Sequence, residues 1–126
     1  MMRRVVMIAA LVTLLVALLA PVALAAIQCR YNPCFGTDKR DTLLERRGQG
    51  LNDAIYGKDR ADVIDVTSYI RDHDELLGQR GDDTLDSRDE DGADTLKGGR
   101  GSDTCFADSG DVALGCEDLD QPPPES

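Results

Sequence analysis

From Asp41 onward the chain repeats one small signature, an Asp followed two residues later by an apolar side chain. The pairs are Asp41/Leu43, Asp53/Ile55, Asp62/Ile64, Asp74/Leu76, Asp83/Leu85, Asp94/Leu96 and Asp103/Cys105. Successive Asp residues lie 12, 9, 12, 9, 11 and 9 positions apart. The alternation makes the repeating unit a pair of segments of about 21 residues, and self-similarity at such a period is the mark of a solenoid. Taking alternate members separates two kinds of loop. One set reads GTDKRD (36–41), GKDRAD (57–62), GQRGDD (78–83) and GGRGSD (98–103), each opening on Gly. The other reads GQGLND (48–53), YIRDHD (69–74) and DEDGAD (89–94), with those glycines missing or displaced. Extra residues fall around 45–48, 66–68 and 87–88.

The sharpest copy is GGRGSDTCF at 98–106. It fits the nine-residue pattern G-G-x-G-x-D-x-U-x, where U is a large apolar residue. Gly98, Gly99 and Gly101 fill the glycine slots, Asp103 the acid slot and Cys105 the apolar slot. On these residues the chain resembles the RTX, or haemolysin-type, calcium-binding repeat family. The resemblance implies an all-β, right-handed parallel β-roll, a β-solenoid of about seven to eight short half-turns. Two nonapeptides would complete each turn, with Ca²⁺ between stacked loops on one edge.

The chemistry of the slots agrees. Glycine permits positive φ and so turns carbonyls toward one point. Carbonyls and carboxylates are the hard oxygen ligands Ca²⁺ takes. The best site should lie between the loops at 78–83 and 98–103, with carboxylates from Asp83 and Asp103 and carbonyls among Gly78, Gly81, Gly98, Gly99 and Gly101. A weaker site would join Asp62 to Asp83. The Asp41 turn should bind worst on this edge, because Lys39 stands in a glycine slot, as Arg60 does one turn later. Whether the glycine-poor edge, with Asp53, Asp74 and Asp94, binds metal is open. Leu43, Ile55, Ile64, Leu76, Leu85, Leu96 and Cys105 should stack as an inner column.

The flanks divide the rest. Arg3 and Arg4, the apolar stretch that follows and Ala23-Leu24-Ala25 form a secretory signal peptide over 1–25, so the protein is expected to be secreted, with no membrane span once the signal is removed. The 101 residues left would keep all 24 acids against 12 bases, a formal charge of −12. Such charge argues against nucleic acid as a partner and asks for cations. An N-terminal cap is expected over 26–35, repeats over 36–106, a C-terminal cap over 107–120 and a disordered tail over 121–126.

Four cysteines in a small exported chain read as disulfides. Of three connectivities, Cys29–Cys34 with Cys105–Cys116 is favoured, since each pair is local and sits at one end of the repeats. A zinc site suits the spacings poorly.

No catalytic motif is found. H-E-x-x-H, G-x-S-x-G and a P-loop are missing, His73 is the lone histidine, and Asp89-Glu90-Asp91 fails as an EF-hand because Arg100 takes the twelfth position. An enzyme is not expected. Two classes remain, a secreted calcium-binding β-roll and a metal-poor β-solenoid serving as an adhesion or surface module. The extracellular partner is not identified by the sequence.

Overall fold

The computed structural model describes residues 25–48 and 51–124. All of the expected signal peptide except Ala25 lies outside the described residues, as do Gln49, Gly50 and the last two residues. Eleven strands and no helix form among the described residues: β1 (Ile27–Cys29), β2 (Cys34–Phe35), β3 (Thr42–Glu45), β4 (Ala54–Asp59), β5 (Val63–Asp65), β6 (Glu75–Arg80), β7 (Thr84–Asp86), β8 (Thr95–Arg100), β9 (Thr104–Phe106), β10 (Val112–Leu114) and β11 (Asp118–Asp120). They alternate between two all-parallel sheets, ordered β1-β3-β5-β7-β9-β11 and β10-β8-β6-β4-β2. This is a parallel β-solenoid, as the resemblance implies. The half-turns β3 to β10 match the seven Asp/apolar pairs and the closing Asp111/Ala113. The ends add β1, β2 and β11 to that count, so both expected caps contribute strands that continue the sheets.

The three-residue strands of the repeats each turn their middle residue inward. In β7, Leu85 is fully buried between half-buried Thr84 and Asp86, the period-two pattern of a strand with one face on a core. The inward residues form two facing columns rather than one. Ile27, Leu43, Ile64, Leu85 and Cys105 align on the first sheet, with Leu119 in register beyond them but exposed. Cys34, Ile55, Leu76, Leu96 and Ala113 align on the second. All seven residues of the anticipated column are completely buried. Val66 and Ala107, at the exit of the first sheet, complete the core with the two cysteine pairs.

Both disulfides join local partners, Cys29 to Cys34 and Cys105 to Cys116, with Cα atoms 5.4 and 5.8 Å apart. Gln121 donates to the carbonyls of Asp108 and Asp111 at 2.8 and 2.9 Å, which ties the start of the tail to the last turn.

The two edges differ in length. Only three residues separate β4 from β5, β6 from β7 and β8 from β9. The strands β4, β6 and β8 are six residues long because they run on into the glycine loops, pairing Lys58 with Gln79 and Gln79 with Gly99. The opposite edge is wider, with nine residues between β5 and β6 and eight between β7 and β8. Its extra length sits where the alternate gaps put it.

The tight edge needs glycine at one position above all. Arg60, Gly81 and Gly101 hold the same place in successive turns, at φ of 81°, 132° and 135°. A Cβ on Gly81 would run into the Arg60 carbonyl, and one on Gly101 into the Gly81 carbonyl. Arg60 is tolerated because its φ stays near the left-handed region that side chains can enter. Gly81→Ala should therefore destabilise the fold by more than about 2 kcal/mol, strain and clash together, whereas Arg60→Gly should stay within about 1 kcal/mol of the parent. Urea unfolding of both variants in saturating calcium checks this, and equal midpoints would contradict it.

Candidate metal centre

On both edges one aspartate per turn holds the turn before it. On the short edge the Asp41 amide donates to Asp62 Oδ1, that of Asp62 to Asp83 Oδ1, and that of Asp83 to Asp103 Oδ1, each at 2.8 Å. Glu117 ends the column by accepting from the Asp103 amide through Oε2, also at 2.8 Å. On the wide edge the Asp53 amide donates to Asp74 Oδ1 and that of Asp74 to Asp94 Oδ1, both at 2.7 Å, and that of Asp94 to Asp111 Oδ1 at 3.0 Å. The amides concerned sit where the chain turns into a strand, and the next turn's carboxylate satisfies them.

The second oxygen of these groups is what matters for metal. Oδ2 of Asp62, Asp83 and Asp103 is buried with no hydrogen-bond partner, and so is that of Asp53, Asp74 and Asp94. Leaving a buried carboxylate oxygen unsatisfied is costly unless a charge compensates it. On the short edge each free oxygen sits over the opening glycine of its own loop. A Cβ on Gly57 would lie 2.6 Å from Asp62 Oδ2 and 2.9 Å from the Gly78 carbonyl. A Cβ on Gly78 would strike Asp83 Oδ2 and come within 2.7 Å of the Gly98 carbonyl, and one on Gly98 would lie 2.5 Å from Asp103 Oδ2. Glycine thus keeps open a cradle where a carboxylate and a next-turn carbonyl converge, which is hard-oxygen chemistry suited to Ca²⁺.

The structure thus brings Asp62, Asp83 and Asp103 into one column, with Gly78 and Gly98 beside the free oxygens and Gly81, Gly99 and Gly101 at the positive-φ bends of the same loops. Asp41 is different. Thr37 donates both its amide and its hydroxyl to that carboxylate, the hydroxyl at 2.9 and 3.1 Å, so the first turn is closed by its own threonine.

On the wide edge the long turns bring in further acids that the nonapeptide pattern did not mark. Ligand oxygens of Glu45, Asp72 and Asp74 lie within 4.8 Å of one another, as do those of Asp72, Asp89 and Asp91, and of Asp91, Asp94 and Asp111. Glu45 is fully buried, with both oxygens unpartnered. Its signal in the sequence is one Glu two residues beyond an inward Leu, a position on the inward side of its strand.

Burial raises seven of these groups. Glu45 is pushed up to about 9 by burial and then by the charges of Asp74, Asp72, Asp53 and Asp89. Asp94 rises to about 8 and Asp74 and Asp62 to about 7, each through burial, partly offset by the amide it accepts. Asp83 and Asp89 rise to about 6 and Asp103 rises too, again with burial as the main cause.

A family model described as RTX calcium-binding nonapeptide repeat (4 copies) matches residues 71–89 and 87–112. No curated protein and no solved structure matches the chain. The molecule is a parallel β-solenoid rich in buried acid. Its stretch from Arg71 to Val112 consists of RTX calcium-binding nonapeptide repeats, and the turns before it continue the same ladder in degenerate form.

These values fix a pH dependence for the metal-free chain. A carboxylate raised on folding binds more protons folded than unfolded, so its favourable contribution is complete below the unfolded value of about 4 and is lost as pH rises through the folded one. In excess chelator the β-rich fraction seen by circular dichroism should therefore be greatest near pH 5 and fall as the pH rises to 9. A β-rich fraction that grows over that interval would show that these acids are compensated in another way.

Proposed function

We propose that this is a secreted calcium-binding protein whose repeats fold into the solenoid on binding Ca²⁺. The observation that carries the reading is the column of buried, unpartnered Oδ2 atoms on Asp62, Asp83 and Asp103, each facing a glycine cradle. Asp83 and Asp103 would hold the best ion with carbonyls from Gly78, Gly81, Gly98, Gly99 and Gly101, and Asp62 with Asp83 a weaker one. Bound calcium supplies the positive charge that the stacked carboxylates otherwise lack, and a ligand that binds only the folded state stabilises it in proportion to RT ln(1 + [L]/Kd). Secretion is supported by the basic and apolar start of the chain and by two disulfides, which belong to oxidising compartments. Extracellular calcium suits modules with Kd of about 10⁻⁴–10⁻³ M. The uncompensated carboxylates weigh against a metal-poor adhesion module.

Circular dichroism of the purified protein should show largely disordered repeats in chelator and the β-rich state in millimolar calcium. Identical spectra would sink the reading. Asp103→Asn keeps the ladder acceptor but removes one charge, so calorimetry should find calcium binding at that site weakened by about tenfold or more.

A further inference from the structure

The glycine edge is not where the net charge lies. Its loops at 36–41, 57–62, 78–83 and 98–103 hold seven acidic and six basic residues. The wide-edge segments at 45–53, 66–74, 87–94 and 107–111 hold ten acidic and four basic ones. Two of those four bases are engaged outside these acids and a third neutralises only one of them, Asp53. Arg46 donates to Gln28, Arg47 pairs with Asp53, and Arg88 chelates Asp86 while lying over the Phe106 ring.

We propose that the wide edge binds a file of hard divalent cations through carboxylates alone, separate from the glycine-edge sites, with Glu45, Asp72 and Asp74 as its first site. Glu45 stands in the column of Cys29, Val66, Ser87 and Ala107, where the other turns put small or apolar groups. It is fully buried, and an oxygen of its unpartnered carboxylate lies within 4.8 Å of oxygens of Asp72 and Asp74. The main charges acting on it, those of Asp74, Asp72, Asp53 and Asp89, are negative. A buried carboxylate aimed at two others needs a cation between them or a proton.

The other two groups extend the site along the edge. Asp72 belongs to the first and second, and Asp91 to the second and third. Most of these acids have one oxygen engaged and one left over. Asp91 Oδ2 accepts the Arg71 amide at 2.7 Å and Asp89 Oδ1 the Asp91 amide at 3.1 Å, while Asp91 Oδ1, Asp89 Oδ2 and Asp94 Oδ2 are unpartnered. Asp111 is hydrogen-bonded on both oxygens, by the Asp94 and Asp108 amides and the Ser87 hydroxyl, and closes the file. Seven carboxylates in three linked groups come close to balancing three divalent ions. Glu45, Asp72, Asp89 and Asp91 all stand outside the Asp-x-apolar slots.

The test is calcium stoichiometry by native mass spectrometry and affinity by calorimetry, on the parent, Glu45→Gln, Asp91→Asn and the Asp83→Asn/Asp103→Asn pair, each checked for β-structure in saturating calcium. Glu45→Gln should lose one bound ion, and Asp91→Asn should weaken binding at least tenfold at the two groups that share it. Asp91 is partly exposed, so its variant keeps the test alive if Glu45→Gln fails to fold. If Glu45→Gln and Asp91→Asn bind as many ions as the parent with the same affinity, the wide-edge file is overturned, and Glu45 is a buried protonated acid. The paired variant separates this from the glycine-edge reading. Losses confined to that pair support the glycine edge alone, and losses confined to Glu45→Gln and Asp91→Asn support the wide edge alone.

Discussion

One carboxylate oxygen on one backbone amide sets the height of every turn. The amide of each ladder Asp belongs to the last residue before a strand, where the regular pairing of the parallel sheet has not yet begun. The Asp of the next turn reaches back with Oδ1 and takes that proton. A charged acceptor makes this a stronger bond than a neutral one would. With the Asp fixed, the strand after it starts at the same height, and the residue two positions on points inward. Asp83 and Leu85 are thus one device, in which the acid registers the turn and the apolar residue fills the core beside Ile64 and Cys105.

The same device creates the electrostatic difficulty. Successive parallel strands lie about 4.8 Å apart, and two unit charges at that distance repel by about 3 kcal/mol at an effective dielectric of about 20. Each edge therefore stacks like charges that burial makes worse. Protons relieve this at low pH, and cations relieve it at neutral pH. Serine at the ladder positions would avoid the repulsion, but it would lose the reach and the charged acceptor.

Much of this was legible in the sequence because the device is local. Asp62 and Ile64, or Asp94 and Leu96, announce themselves by spacing alone, and the alternation of 9 with 11 or 12 places the wider turns on one edge. Glycine reads well where the backbone demands it, as at Gly81 and Gly101. What remained hidden depends on residues distant in the chain. Glu45 looks like a surface acid beside Arg46 and Arg47, and only the stacked turns bring Asp72 and Asp74 to it. Asp89 and Asp91 look like ordinary turn acids until the turn at 87–94 settles against the one at 66–74. Thr37 closing on Asp41 and Glu117 ending the short-edge column are likewise set by geometry that a nonapeptide pattern does not contain.

Loop length decides which oxygen atoms accompany the ladder. Where three residues join the sheets, the chain has no room to fold another side chain inward, so the neighbours of Asp83 Oδ2 are backbone atoms and the edge requires glycine. Where eight or nine residues join them, the chain can loop outward and return acids to the ladder. The columns then stop where a carboxylate finds local donors. Thr37 saturates Asp41, and Ser87 with the Asp108 amide saturates Asp111, while Asp53 is half-satisfied by Arg47 on Oδ1. Between those ends every ladder aspartate keeps one oxygen free, so the length of each cation-competent column follows from where ordinary hydrogen bonds run out.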